Sequence, residues 1–357
     1  MDRSVGSVDV EESWGQLEDG TAVGRWVLDD GTVQVGLVEH GARIQSVLAP
    51  DRDGHRADVV LGFADLAPYA GKGRSFGATI GRYANRIAAG TFTLEGQTFT
   101  VPPTDRGNAI HGGPHPFSEL RWTAHRVEDA CGVRFSLLSP DGDNGFPGAL
   151  SVHVTYVLHQ GRLTVESRAT TDATTVVNLT NHAYWNLAGE GSGTVDAHLV
   201  QVDADTFLPV DESGVPTGEF RPVEGTPFDL REAVPVGYRV ELDDEQLRRG
   251  QGFDHCYVLS RQAGGTREPT LAATVTEPVS ARTLQVWTDQ PGVQFFTGGS
   301  LAGTLVGKGG ATYGPRAGLA LEAQGFPDAP NRPEFPTTVL RPGEEFDSVT
   351  EFRFGLA

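Results

Sequence analysis

One segment of the sequence, NLTNHAYWNLAGEG at residues 178–191, contains side chains that are well suited to acid–base chemistry. β-Branched residues lead into the segment and glycines end it, which is typical of a strand that runs into a loop. In an extended chain Thr180, His182 and Tyr184 share one side. We expect His182, Tyr184 and Trp185 to line one rim, where such rings can stack on the apolar faces of a sugar. The alternative is a core histidine whose ring nitrogens are satisfied by backbone groups.

A second segment, LALEAQGFPDAPN, supplies a carboxylate. If Leu319 and Leu321 face the core of a strand, Glu322 and Gln324 face the opposite side. A carboxylate flanked by Leu321 and Ala323 is partly desolvated, which raises its pKa and makes it a better base. Glu322 is therefore a candidate for proton transfer.

Three further clusters offer side chains that can contact hydroxyl groups. Asn85 and Arg86 lie in a glycine-flanked turn, GATIGRYANRIAAGTF, and the arginine fork suits two neighbouring hydroxyls or a carboxylate. A structural arginine that pairs with a carboxylate is the alternative there. Asp254 opens a strand in GFDHCYVL, where it is either a turn residue or part of a site. Gln294 and Phe296 share one face in QPGVQFFTGG.

Two histidines lie four residues apart in NAIHGGPHPF, at His111 and His115. This spacing binds zinc on the face of a helix, but two glycines and two prolines argue against a helix here. We therefore expect no metal site, and we interpret His111 as a hydrogen-bond donor to a ligand.

Composition and charge limit the classes of partner. The 357 residues include 28 Lys and Arg against 47 Asp and Glu, a net charge of −19, which repels nucleic acid and anionic membranes and favours an uncharged small molecule. The N-terminus lacks a signal-peptide pattern, and no run approaches the roughly 18 apolar residues of a membrane span, so we expect a cytoplasmic protein. Cys131 and Cys256 are interpreted as free thiols, with a single bridge as the alternative.

Period-two patterns predict the elements that must position these residues. Apolar residues alternate in TVQVGLV, SVHVTYVL and TLQVWTD, and Gly, Pro, Asp and Asn clusters separate many such runs. One short helix is predicted over residues 241–250, and residues 302–318 are predicted to form a surface loop. The chain is therefore expected to be all-β, as one domain over residues 1–357 with residues 1–15 as a candidate flexible segment.

Taken together, the motifs resemble the aldose 1-epimerase (galactose mutarotase) family. The resemblance rests on six segments in order, GRYANRI, NAIHGG, NHAYWNLAG, GFDHCYVL, QPGVQFFTG and LEAQGFPDAPN. It implies a large antiparallel β-sandwich with very few short helices, no cofactor and an active site in an open cleft across the sheet. It also implies a small-molecule aldose as substrate and a monomer or homodimer.

Position by position, the resemblance implies His182 as the acid and Glu322 as the base that open and reclose the sugar ring. It implies substrate-binding roles for Asn85, Arg86, His111, Tyr184, Asp254 and Gln294. The sequence departs from many relatives at Tyr83, Trp185 and Ala323, which bears on the preferred hexose.

Two other functions fit the same residues. A hexose-6-phosphate 1-epimerase would need basic residues around the phosphate, for which Arg74, Arg82 and Arg86 are candidates. A non-catalytic carbohydrate-binding sandwich would need the aromatic and polar residues but no paired acid and base. A glycosidase is disfavoured because it usually needs two carboxylates around the scissile bond.

Overall fold

Strands dominate the computed structural model, which describes residues 6–260 and 268–357. The first half of the described chain contains β1 Ser7–Gln16, β2 Ala22–Asp29, β3 Gln34–Val38, β4 Arg43–Pro50, β5 Arg56–Asp58, β6 Thr79–Ile80, β7 Arg86–Ile87, β8 Thr91–Leu94, β9 Gln97–Thr100, β10 Ala109–Ile110, β11 Thr123–Arg126, β12 Gly132–Ser139, β13 Leu150–His159, β14 Arg162–Thr171, β15 Thr175–Val176, β16 Thr180–Asn181 and β17 Tyr184–Trp185. The second half contains β18 Leu199–Val202, β19 Thr206–Leu208, β20 Arg221–Pro222, β21 Val234–Pro235, β22 Asp254–Val258, β23 Thr270–Thr276, β24 Arg282–Thr288, β25 Gly292–Phe296, β26 Leu305–Val306, β27 Thr312–Tyr313, β28 Leu319–Gln324, β29 Val339–Leu340 and β30 Phe346–Leu356.

Helical structure is confined to short pieces within the described residues. The α-helices are α1 Val236–Val240 and α2 Glu245–Gly250, and single 3₁₀ turns lie at Ala67–Ala70, Ala88–Gly90, Phe117–Glu119, Asp143–Gly145 and Ala329–Asn331. None of these helices has the length and apolar character that crossing a bilayer requires.

Three antiparallel sheets form the body of the molecule. A five-stranded sheet has the order β1-β2-β3-β4-β5, a nine-stranded sheet the order β11-β12-β13-β14-β30-β24-β23-β18-β21, and a six-stranded sheet the order β17-β28-β25-β22-β19-β20. One continuous core takes side chains from all three, among them Leu37, Val154 and Leu321. This confirms the predicted all-β class with a large antiparallel sandwich.

The period-two runs lie where the pattern predicted strands. In β13 every second residue from Leu150 to Leu158 is buried, and in β24 Leu284, Val286 and Thr288 are buried. Alternation along a strand puts these side chains on the face that packs against the other layer.

The N-terminal segment forms a strand where the structure describes it, and the predicted helix is shorter than expected. Residues 1–5 of the candidate flexible segment lie outside the described residues, and most of the rest forms β1, which pairs with β2. The predicted helix over residues 241–250 begins only at Glu245. Asp244 caps it because its side chain accepts hydrogen bonds from the backbone N–H groups of Gln246 (2.7 Å) and Leu247 (3.3 Å).

Candidate active site

Three neighbouring strands of the six-stranded sheet carry a row of polar side chains on one face. The register of β22, β25 and β28 places Cys256 opposite Gln294 and Gln294 opposite Glu322. Asp254 lies two residues from Cys256 and therefore on the same face. The Gln294 side-chain nitrogen donates a hydrogen bond to Asp254 Oδ1 at 2.7 Å, which holds that carboxylate over the sheet.

The edge strand β17 brings the histidine to this row. Tyr184 pairs with Ala320 of β28 in antiparallel register. Continuing that register by two residues in each direction puts His182 opposite Glu322. The two side chains meet with His182 Nε2 3.6 Å from Glu322 Oε1, and both are almost completely buried.

The segment around His182 bends instead of forming one strand. β16 ends at Asn181, whose side chain donates to the Gly77 carbonyl (2.8 Å) and accepts from the Ala183 N–H (3.1 Å). The backbone carbonyl of His182 in turn accepts a hydrogen bond from Gly77 N at 2.9 Å. These bonds replace the ladder of a regular strand and fix the position of the imidazole.

Trp185 does not lie on the predicted rim. It follows Tyr184 directly in β17, so its side chain points to the opposite face, where it packs in the core against Phe352 (ring centroids 5.1 Å apart) and Phe354 (5.7 Å). The prediction of an indole beside the imidazole is therefore wrong. The phenol of Tyr184 does lie there, stacked on the His182 ring with centroids 4.8 Å apart and 17° between the planes.

A loop from the other side of the cleft brings in His111. Its backbone N–H donates to the Asn85 carbonyl (3.1 Å), and the Asn85 N–H donates to His111 Nδ1 (3.2 Å). An Nδ1 atom that accepts a hydrogen bond carries no proton, so the neutral ring has its proton on Nε2. His111 is thus set to donate a hydrogen bond, which is the role that the sequence predicts for it.

Arg86 lies between two carboxylates at the cleft. Its Nε donates to Asp105 Oδ2 at 2.8 Å, and its Nη1 lies 3.7 Å from Asp254 Oδ2. Burial alone would lower the pKa of the guanidinium, but the charges of Asp254 and Asp105 raise it. Arg86 therefore stays charged and links the two acidic side chains.

These groups line one open cleft of about 220 Å³. This is below the roughly 300–1,000 Å³ of sites for drug-sized ligands and indicates a small ligand. The lining includes seven of the eight predicted site residues, namely Asn85, Arg86, His111, His182, Tyr184, Asp254 and Glu322, while Gln294 lies buried behind Asp254. Ser75, Asp105, Ile110, Phe296 and Ser300 complete it. Of these, Asp105 has no distinguishing signal in the sequence, because an aspartate in a segment such as TDRGN is ordinary turn chemistry.

Burial shifts the pKa values of the central pair in opposite directions. It lowers the pKa of His182 to about 4, although contact with its own backbone carbonyl and the charge of Asp254 act the other way. It raises the pKa of Glu322 well above its usual range, helped by Asp254 and opposed by Arg86. Burial therefore disfavours the charged form of both groups.

The histidines do not fit a metal site. His111, His182 and Glu322 each offer one atom within 4.8 Å of the others. However, the hydrogen bond from Asn85 keeps the His111 proton on Nε2, where a metal would need a free lone pair. His115 lies on an exposed stretch without helical structure, so it cannot pair with His111 on a helix face.

Several residues named in the sequence lie away from the cleft. Gln324 is fully buried outside the cleft lining, and Cys131 and Cys256 are buried free thiols, as predicted. Tyr83 is buried, and its hydroxyl donates to the Phe326 carbonyl at 3.1 Å. The sequence departs from many relatives at Tyr83, Trp185 and Ala323. None of these three residues lines this cleft.

Comparison with known proteins agrees with this geometry. The family model for aldose 1-epimerase matches residues 24–353. The galactose mutarotase of Homo sapiens is 46% identical over 338 residues, which is 95% of this chain and 96% of the human protein. The aldose 1-epimerase of Escherichia coli K12 is 41% identical over 323 residues, which is 90% of this chain and 91% of that protein.

Solved structures show the same fold. A GalM/aldose epimerase homologue from C. elegans superposes with a TM-score of 0.85 at 30% identity, over 94% of this chain and all of that one. A galactose 1-epimerase from Lactobacillus acidophilus also reaches 0.85, at 26% identity, over 99% of this chain and all of that one. The chain belongs to the aldose 1-epimerase family.

Proposed function

We propose that this protein is an isomerase that interconverts the α and β anomers of free aldohexoses such as glucose and galactose, with His182 and Glu322 as its acid and base. The observation that carries the proposal is their separation of 3.6 Å in the cleft. The anomeric hydroxyl oxygen and the ring oxygen are bonded to the same carbon. A proton donor and a proton acceptor that serve both oxygens must therefore lie close together.

The reaction follows from these two groups. Glu322 takes the proton of the anomeric hydroxyl, and the electron pair of that O–H bond forms the aldehyde C=O. The C1–O5 bond breaks, and its electron pair stays on the ring oxygen, which receives a proton from His182. Rotation about C1–C2 presents the other face of the aldehyde. Reclosure with both proton transfers reversed yields the opposite anomer and restores both residues.

This mechanism needs Glu322 as a carboxylate and His182 as an imidazolium. The ion pair of carboxylate and imidazolium is favoured by Arg86, which lowers the pKa of Glu322, and by Asp254, which raises the pKa of His182. Burial opposes the ion pair, so we propose that the polar hydroxyls of the bound sugar help to form it.

The other polar side chains support a neutral polyol as substrate. His111 offers an N–H donor, Asp254 and Asp105 offer acceptors, and Arg86 offers donors between them. Together they can hydrogen-bond the ring hydroxyls, and Tyr184 and Phe296 supply aromatic surface beside them.

The same cleft is less suited to binding a sugar phosphate. Arg86 is already paired with two carboxylates, and Arg74 lies 3.3 Å from Glu119. Arg82 is buried and donates to the carbonyls of Pro147 and Gly148 at 2.9 and 2.8 Å. Arg74 and Arg82 are therefore engaged outside the cleft lining, and the charge of Arg86 is already balanced by two carboxylates in the cleft.

Three further points are part of the proposal. The chain works as one domain over residues 1–357, as a monomer or homodimer, and in the cytoplasm. Size-exclusion chromatography with light scattering tests the assembly, and cell fractionation tests the location.

Polarimetry of freshly dissolved α-D-glucose and α-D-galactose tests the activity, with glucose 6-phosphate as the competing substrate. The proposal expects acceleration over background for the free sugars and at least a tenfold lower kcat/KM for the phosphate. If every sugar reacts only at the background rate, a non-catalytic carbohydrate-binding sandwich is the better description. A preference for glucose 6-phosphate would favour a hexose-6-phosphate 1-epimerase.

A further inference from the structure

Four aromatic rings form a continuous stack that begins at the His182 imidazole. The Tyr184 ring lies against His182 at 4.8 Å, the Phe76 ring lies against Tyr184 at 4.3 Å, and the Tyr313 ring follows Phe76 at 5.8 Å. Successive planes differ by only 17°, 17° and 13°. We call His182, Tyr184, Phe76 and Tyr313 the ring column.

The far end of the ring column is tied to the protein by hydrogen bonds. The Tyr313 hydroxyl accepts from Gly62 N at 3.0 Å, lies 2.7 Å from the Gly62 carbonyl and also contacts the Glu190 carboxylate. Glu190 in turn accepts from Gly309 N at 3.1 Å. These partners leave the Tyr313 ring little freedom to move.

The hairpin that carries Tyr313 is anchored as well. It is formed by β26 and β27 within the segment 302–318, which was predicted as a surface loop. Lys308, between the two strands, donates to the carbonyls of Gln45 (2.6 Å) and Val60 (2.9 Å) and pairs with Asp58 (2.8 Å). A partly buried lysine with three partners fixes the hairpin against β4 and its neighbours.

The near end of the ring column lacks such a tie. Apart from the contact of the ring with the carbonyl of His182 itself, no group in the described part of the chain makes a hydrogen bond to the buried His182 Nδ1. Catalytic histidines are often oriented by a carboxylate or carbonyl at that nitrogen. Here the orientation of the ring must come from packing, and Tyr184 is the group stacked on it.

We propose that Phe76 and Tyr313 are positioning residues that hold the His182 imidazole in the plane needed for proton transfer, acting through Tyr184. This inference rests on the proposed function of His182. Neither Phe76 nor Tyr313 lines the cleft, so neither contacts the sugar. Their effect is on the rate of the chemical step, because small misplacements of a catalytic group cost up to about a hundredfold in rate.

The test compares Phe76→Leu with Phe92→Leu in mutarotation kinetics. Phe92 is as deeply buried as Phe76 and also stacks on aromatic rings, but in a separate core cluster. We expect Phe76→Leu to lower kcat roughly tenfold or more with KM within about twofold, and Phe92→Leu to leave kcat within about twofold. Equal loss of kcat in both variants would mean a general structural effect and would overturn the proposal.

A spectroscopic readout follows the imidazole directly. The stacked Tyr184 ring shifts the His182 carbon-bound ring protons upfield in NMR spectra, and the signals are assigned by their loss in His182→Asn. Phe76→Leu is expected to reduce this shift and Phe92→Leu to preserve it. An unchanged shift together with an unchanged kcat in Phe76→Leu overturns the proposal.

A second pair of variants covers the case in which Phe76→Leu does not fold. Tyr313→Phe keeps the ring and Tyr313→Leu removes it, so kcat is expected to fall more in the leucine variant. Equal kcat values would contradict the role of the ring. If the wild-type protein itself lacks mutarotase activity, the proposed function fails, whereas an active wild type with insensitive variants refutes only the ring column.

Discussion

The imidazole of His182 lies opposite the carboxylate of Glu322, with Nε2 and Oε1 3.6 Å apart, just beyond the point where β17 pairs with β28. Two groups far apart in the chain thereby form one buried acid–base pair. Burial lowers the pKa of the imidazole and raises that of the carboxyl, so it disfavours the charged form of each group.

The first prediction concerns the acid side of the pH profile. Burial lowers the pKa of His182 to about 4 and raises that of Glu322, so both groups carry a proton only near and below pH 4. The doubly protonated pair lacks a base, so kcat/KM should fall at acid pH and reach half its maximum near pH 4. Steady-state kinetics, corrected for spontaneous mutarotation, measure this profile.

Circular dichroism at each pH serves as the control for acid unfolding. A half-maximum near pH 6.5 in protein that is still folded would mean that His182 titrates like an exposed imidazole, contrary to its burial.

The second prediction concerns Arg86. Lysine cannot bridge Asp105 and Asp254 as the guanidinium fork does. A hydrogen bond to a charged group contributes about 1.5–3 kcal/mol, so Arg86→Lys should raise KM for galactose roughly tenfold to a hundredfold. Initial-rate kinetics give KM and kcat separately.

Arg162→Lys is the matched control, since Arg162 pairs with Glu351 on the nine-stranded sheet, away from the cleft. A KM for Arg86→Lys that equals that of Arg162→Lys would remove Arg86 from substrate binding.

The third prediction separates stability from specificity at Tyr83. Its hydroxyl donates to the Phe326 carbonyl (3.1 Å) and accepts from Ala329 N (3.2 Å), so Tyr83→Phe leaves two buried backbone groups without this partner. We expect the free energy of unfolding to fall by about 1–3 kcal/mol, with KM for glucose and galactose unchanged. Urea denaturation and kinetics measure the two quantities.

Tyr238→Phe is the control for loss of a tyrosine hydroxyl. Because Tyr238 is 67% exposed, this variant should change the free energy of unfolding by less than about 0.5 kcal/mol. A shift in the ratio of KM values between the two sugars in Tyr83→Phe would show that this residue does act on the hexose preference.

Much of the fold could be predicted because burial repeats with the period of a strand. The alternation in β13 and β24 locates those strands and their buried faces. The site was harder to predict, because Glu322 and His182 meet through a register between β28 and β17 that no local spacing encodes. Their roles came from the family resemblance.

The differences between the sequence-based predictions and the structure also have local causes. Trp185 was placed beside His182, although neighbours in a strand alternate and the side chain belongs to the core. The helix start at Glu245 depends on the cap at Asp244, which competed in the sequence with several other acidic residues. Asp105 was not predicted as a site residue, although it lines the cleft and accepts a hydrogen bond from Arg86 Nε at 2.8 Å.

The most direct measurement is the mutarotation rate of Glu322→Gln and His182→Asn, followed by polarimetry of freshly dissolved α-D-galactose. Removing the base or the acid should each lower kcat at least about a hundredfold, because each group contributes roughly 10²–10⁴ in rate. Glu351→Gln, at another buried glutamate outside the cleft, should keep the wild-type rate. Wild-type rates in folded Glu322→Gln and His182→Asn would contradict the account.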